Sequence, residues 1–136
     1  MANKKILVVD DDPDIRYGMQ IRLRANNYDT VFAGDVPSCM AEALNSHPDL
    51  VLLDLGLPGD DGYTVLEGLH ATASLKTIPI IVISARDVHT NQARAVKAGA
   101  KAFIQKPMDD TELLAVIRKT LEEAPARLEP AGSIWN

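Results

Sequence analysis

The chain has 136 residues, 46% hydrophobic and 24% charged, with a formal net charge of −5. That length suits one domain with a packed core and excludes wholesale disorder, while the acidic balance argues against direct nucleic-acid binding, which needs clustered Lys and Arg. Cys39 is the only cysteine, which excludes an internal disulfide and suits a reducing cytoplasm; the apolar runs are too short to cross a bilayer, and the one after the basic start stops at Asp10, too early for a signal peptide.

Ile6-Leu7-Val8-Val9 is the first of five apolar runs and ends in Asp10-Asp11-Asp12. Asp12 before Pro13 marks a helix start, an N-cap followed by proline at the first helical position. Ile15, Met19, Leu23 and Asn26 then step at helical spacing. Tyr28–Ala33 is a weaker strand, interrupted by Asp29 and Thr30, and reads as a sheet edge; Val36, Met40 and Leu44 predict the second helix. Leu50-Val51-Leu52-Leu53 is the third strand and ends in Asp54. Asp60-Asp61-Gly62 predicts a turn and cap before a third helix carrying Leu66 and Leu69. The fourth strand, Ile80-Ile81-Val82-Ile83, ends in Ser84, and a helix with the stripe Val88, Gln92 and Val96 follows until Gly99 stops it. Ala102-Phe103-Ile104 is the fifth strand, with Gln105, Lys106 and Pro107 after it. Asp109, Asp110 and Glu112 put negative charge in the first turn of a last helix with Leu113, Leu114, Ile117 and Leu121. The pattern ends near Ala124, so residues 1–124 read as the domain. Residues 125–136, with Pro125, Pro130, Gly132 and the lone Trp135, read as a flexible tail.

Five alternating βα units predict an α/β fold: a doubly wound, five-stranded parallel sheet of flavodoxin-like (βα)5 type, with helices on both faces and strand order 2-1-3-4-5. Runs one, three and four are continuous and aliphatic, as strands buried on both faces are. In that order the first and third strands are neighbours where the strand order reverses, and ligands of open α/β sheets bind there. Asp10, Asp11 and Asp54 therefore meet in one crevice, with Ser84 and Lys106 beside them. Such a cluster repels itself unless a cation sits in it, and hard oxygen donors with open positions suit Mg2+ or Mn2+. A cation and an ammonium together neutralise charge on a phosphoryl group in flight, and an aspartate carboxylate is a competent nucleophile for it.

Ile6 to Asp12, Leu52-Leu53-Asp54-Leu55-Gly56-Leu57-Pro58, Asp61-Gly62, Ile83-Ser84-Ala85 and Lys106-Pro107 together resemble the receiver domains of two-component response regulators, from about Lys4 to Leu121. Each motif alone is weak; five in order at βα spacing are specific. The resemblance implies that Asp54 is the phosphoacceptor and that Asp10 and Asp11 are the acidic pair, with Asp11 a direct metal ligand and Asp10 acting largely through water. It implies that Gly56 offers its backbone carbonyl to the metal, a role for which a missing side chain is neutral. Ser84 is then the switch hydroxyl, Ala85 the small residue that leaves room for the phosphoryl group, and Lys106 the lysine that bonds the acceptor and later the phosphoryl oxygens. Pro107 follows a bond that is often cis, and Phe103 is the rotating aromatic, more often Tyr.

The implied donor is a sensor histidine kinase or a histidine phosphotransfer protein, and the implied output is a shape change of the face made by the fourth helix, fifth strand and fifth helix. The output partner is unknown from the sequence. Such a chain is not an enzyme with a separate turnover substrate; it catalyses only its own phosphorylation and dephosphorylation. Lys101 and Ala102 stand where acidic residues of dimer-forming relatives are common, which predicts a monomer or weak dimer, without nucleic-acid or membrane contact. Two rivals are the receiver part of a DNA-binding regulator and a nucleotide- or flavin-binding protein, the latter disfavoured because Asp10–Asp12 occupy the place of a Gly-rich phosphate loop. His47, His70 and His89 show no ligand spacing and read as surface residues, and Cys39 reads as a small helix-face residue.

Overall fold

The computed structural model of the protein describes residues 3–59 and 61–124. Five strands, β1 (Lys5–Val9), β2 (Asp29–Ala33), β3 (Leu50–Asp54), β4 (Ile80–Ser84) and β5 (Ala102–Gln105), alternate with five helices, α1 (Pro13–Ala25), α2 (Val36–Ser46), α3 (Asp61–Ala71), α4 (Val88–Lys97) and α5 (Asp110–Glu123). All strand pairs are parallel and the order is β2-β1-β3-β4-β5, as the alternation predicts. The expected tail at residues 125–136, including Trp135, lies outside the described residues, as does Asp60 of the expected cap before α3.

The strands bury both faces because a parallel sheet has helices on either side. Leu7, Val9, Val51, Leu53 and Val82 point into one core with α2, α3 and α4. Ile6, Val8, Leu50, Leu52, Ile81, Ile83 and Ile104 alternate into the other, against Met19 and Leu23 of α1 and Leu113 and Ile117 of α5. Side chains two apart in a strand share a face, so each short aliphatic run supplies both cores at once.

The helix starts are set by carboxylates that occupy free N–H groups. Asp12 caps α1 by accepting from the backbone of Asp14 and Ile15, and Asp35 forms a reciprocal capping box with Ser38 at α2. Asp87 caps α4 and Asp109 caps α5. At the other end of α4, Gly99 (φ 119°) makes the left-handed turn, its N–H bonding to Val96 O and that of Ala100 to Ala95 O, a Schellman closure.

Three predicted stripes differ from the observed faces. On α1 only Met19 and Leu23 of the stripe are buried, while Ile15 and the C-cap residue Asn26 are exposed. On α4 the inward residues are Asn91, Ala95 and Ala98, while Gln92 and Val96 are exposed, Val96 at 52%. The stripe fails because α4 is held by a single fully buried residue, Ala95, and by a polar anchor on Asn91 that an apolar count does not register. On α2 the deepest positions are Cys39 and Ala43, and Leu44 is 47% exposed. Small residues face the sheet there because the helix lies close to it.

Candidate phosphoacceptor site

The C-terminal ends of β1, β3, β4 and β5 deliver one polar residue each to the same edge. Asp10 follows β1 directly and its carboxyl is buried. Its N–H donates to Ala33 O at 3.0 Å, extending the β1–β2 ladder by one bond. One carboxyl oxygen accepts the Asp12 N–H at 2.9 Å, and the carbonyl accepts Arg16 Nη1 at 2.8 Å. The group is thus fixed at N–H, C=O and carboxyl before any ligand arrives.

Asp54, the last residue of β3, is bonded from two sides. Lys106 Nζ donates to Oδ2 at 2.7 Å and the Gly56 N–H donates to Oδ1 at 2.6 Å. Lys106 is placed by its own N–H, which donates to Ser84 O at 2.8 Å at the end of β4. The Lys106–Pro107 peptide is cis. Asp10 and Asp54 face each other closely enough for each to shift the other's titration.

The two carboxyls have opposite electrostatics. Burial pushes Asp10 up to about 6; the Asp12 N–H opposes this, while the facing Asp54 carboxylate adds to it. Asp54 is also penalised by burial, but the bonds from Lys106, Gly56 and Asp10 outweigh that and hold it below the usual carboxylate range. One ammonium therefore serves two carboxylates, and Asp54 has the larger share of it. Asp54 stays ionised, as a nucleophile must, and Asp10 is left under-neutralised.

That imbalance is the physical test of a cation at this edge. Asp10 is an oxygen donor whose ionised form is destabilised by burial and by the facing Asp54 carboxylate, and Asp11 stands exposed beside it. Among the described residues no three carboxylate, His or Cys side chains converge into a ready-made metal cluster. The close pair is Asp10 with Asp54, and Asp11 is the neighbour outside it. Hard oxygen donors around a deficit of positive charge fit a divalent cation such as Mg2+.

The structure changes the reading of Gly56. A Cβ there would stand 3.0 Å from Asp54 Oδ1, a tight contact to which the carboxylate would have to give by a few tenths of an ångström, so the missing side chain bears on Asp54 as well as on the carbonyl. Ser84 is fully buried, and its hydroxyl oxygen accepts the Arg86 N–H at 2.9 Å. Arg86 also reaches Gly59 O at 3.1 Å, tying the loop after β4 to the loop after β3. Ala85 and Lys106 line an open, mostly apolar cavity of about 500 Å3 between α1 and the start of α5, with Asp10 and Asp54 at its edge. Phe103 is half-buried on β5 and packs against the core beneath α3 and α4. Arg16 and Arg86 are parts of the site that periodicity did not single out, because both act through backbone carbonyls.

Four strand ends bring a carboxylate pair, a buried hydroxyl and a lysine to one edge of the sheet, and the sequence fits the response regulator receiver domain over residues 6–118. The chain belongs to the response regulator receiver family. The receiver is 34% identical to the DNA-binding response regulator MtrA of Mycolicibacterium smegmatis over 134 residues, covering 96% of this chain and 58% of MtrA. It is 36% identical to the response regulator PleD of Caulobacter vibrioides over 115 residues, covering 84% of this chain and 25% of PleD. Among solved structures it resembles a CheY-like receiver domain protein from Methanospirillum hungatei, with TM-score 0.82 and 30% identity over 90% of this chain and 96% of that one. The receiver thus spans less than two thirds of the length of these curated relatives. No helix among its described residues is long and apolar enough to cross a membrane.

Proposed function

We propose that this receiver takes a phosphoryl group onto Asp54 in a reaction that needs Mg2+ or Mn2+, from the phosphohistidine of a sensor kinase or phosphotransfer protein. The observation that carries this is the Asp54 carboxylate, kept ionised by Lys106 and Gly56 and set against Asp10 at the switch point of the sheet. An Asp54 oxygen forms the new O–P bond as the P–N bond to the donor imidazole breaks, and the imidazole nitrogen keeps the electron pair. Lys106 Nζ, already 2.7 Å from Oδ2, is placed to shift its bond to a phosphoryl oxygen. A divalent cation held by Asp10, Asp11, Asp54 and the Gly56 carbonyl would neutralise charge on the phosphoryl oxygens.

We assign the receiver unit to residues 1–124. Slow hydrolysis of the acyl phosphate resets it, and there is no separate substrate. The output surface we assign is the face of α4, β5 and α5, with Ser84 and Phe103 coupling it to Asp54, in a monomer or weak dimer without nucleic-acid or membrane contact. A reducing cytoplasm suits the lone, unpaired thiol of Cys39.

The test is incubation with acetyl phosphate and Mg2+, read by intact mass. The expected result is one phosphoryl increment, absent with chelator and absent in Asp54→Asn. An increment that persists in Asp54→Asn refutes the assignment. A second reading, in which this receiver is one part of a longer regulator, is favoured by its covering 58% of MtrA and 25% of PleD. An open reading frame continuing past Asn136 would decide for it. The flavin reading is set aside by the family.

A further inference from the structure

We propose that Arg16 is a positioning residue for the divalent-cation site, acting through the Asp10 backbone, and that Gly34 serves to let its guanidinium through. The inference rests on reading Asp54 as a metal-dependent phosphoacceptor.

The need for Arg16 follows from how the β1–β2 ladder ends. Val9 is level with Ala33, and one step on the Asp10 N–H still donates to Ala33 O. In a parallel ladder the Asp10 carbonyl would next accept the N–H of Asp35. That N–H is committed elsewhere: it donates to Ser38 Oγ at 3.3 Å as half of the capping box that starts α2. The Asp10 carbonyl is therefore left without a ladder partner at the point where the chain turns out of the sheet. Arg16, in the first turns of α1, supplies the missing donor through Nη1 at 2.8 Å, in a partly buried position.

Gly34 is the complementary half. An ideal Cβ there would lie 2.6 Å from Arg16 Nη1 and 3.7 Å from Asp10 O. The φ of Gly34 lies outside the left-handed region, so alanine suits its backbone, and what it would disturb is the far end of a flexible side chain. Gly34→Ala thus displaces the guanidinium without removing its charge or straining the chain.

Bonds that hold a ligand rather than touch the metal typically change metal affinity by about 10–100-fold. Two simpler roles for Arg16 make different forecasts. If it acted only as a nearby positive charge, its removal would tighten binding of a cation. If it only held α1 to the sheet, its removal would lower the melting temperature and leave cation affinity intact.

The experiment measures Mg2+ affinity by calorimetry, well below the melting temperature, for wild type, Arg16→Met, Gly34→Ala and the double variant, with circular dichroism to confirm folding. The expected result is a loss of about tenfold in each single variant and no further loss in the double, since both remove the same bond. Gly34→Ala carries the test if Arg16→Met does not fold. Unchanged or tighter Mg2+ binding in the single variants overturns the proposal, as does a double variant whose loss is the product of the two. The phosphoacceptor reading is checked apart from this, by Mg2+ binding and acetyl phosphate labelling of the wild type; failure there removes the basis of the inference, whereas normal wild-type behaviour with indifferent variants removes the inference alone.

Discussion

Deleting one oxygen, in Tyr63→Phe, should loosen α4 and leave the edge that holds Asp10 and Asp54 intact. The Tyr63 ring is 1% exposed, in the first turn of α3, and its hydroxyl donates to Asn91 Oδ1 at 2.7 Å. The Arg94 guanidinium lies 3.6 Å from the ring centroid, and phenylalanine keeps that stack. The substitution therefore removes one neutral hydrogen bond, worth about 0.5–1.5 kcal/mol net. For most helices this would be lost in the total. Here α4 has one fully buried residue, Ala95, whose methyl contributes about 0.8 kcal/mol, so a bond of about 1 kcal/mol is as large as its deepest apolar contact. Urea unfolding of wild type, Tyr63→Phe, Asn91→Ala and the double variant should give a coupling of about 1 kcal/mol, and α4 amides should exchange about fivefold faster in Tyr63→Phe. Additive stabilities, or α4 amides that exchange as in wild type, would refute the idea that this hydroxyl holds the helix.

In chelator, Asp10→Asn should be more stable than wild type at pH 7. Asp10 is raised from 3.8 to about 6, chiefly by burial, so the folded state binds more protons than the unfolded between those values and stability falls as pH rises through that window. At about 1.36 kcal/mol per unit the effect is at most about 3 kcal/mol, and a flat difference between the two proteins from pH 4 to 7 would contradict it. Asp54, held low chiefly by Lys106 against the cost of its burial, contributes in the opposite sense and only below the usual carboxylate range, as protonation breaks that pair. Cys39 is fully buried, and burial pushes its thiol up to about 12, so a thiol reagent should label it only at the rate at which the protein opens. Labelling as fast as a free thiol at neutral pH would show the α2 face to be open.

Much of this molecule was legible in its residues because strands and caps announce themselves locally. Continuous aliphatic runs ending in Asp10, Asp54 and Ser84 fix both the parallel sheet and the edge where the polar groups gather. Asp12 sits where a cap must sit, whereas Asp109, which reads as first-turn charge, turns out to be the cap of α5 itself. What was not legible depends on distance across the fold. Arg16 reads as a charged residue on a helix until the ladder of β1 and β2 is seen to end one donor short. Gly56 and Gly34 look like loop glycines until a Cβ is placed against Asp54 Oδ1 and Arg16 Nη1. The stripe on α4 misled because Asn91 faces inward and Val96 outward, an inversion that polar anchoring by Tyr63 makes affordable.

The same geometry bounds how Ser84 could work as a switch. Its hydroxyl oxygen already accepts the Arg86 N–H, so moving it toward a phosphoryl group gives up a bond of about 0.5–1.5 kcal/mol for one to a charged acceptor of about 1.5–3 kcal/mol. The net gain is no more than about 2.5 kcal/mol, roughly a 70-fold change in an equilibrium. A swing from 1:99 to 99:1 needs about 5.5 kcal/mol, so from that starting point Ser84 alone would bring at most about two fifths of the molecules across. Lys106 adds little by re-pairing, because it exchanges one charge-assisted bond, to Asp54 Oδ2, for another to a phosphoryl oxygen. Phe103 contributes packing but no hydroxyl. If Ser84 is the switch proposed above, these contacts alone fall short of a full swing, and either a bound cation or an α4 that already visits the active arrangement at rest must supply the remainder. The sparse burial of α4, with Ala95 its one fully buried residue and the Tyr63–Asn91 bond its polar anchor, is what such sampling requires.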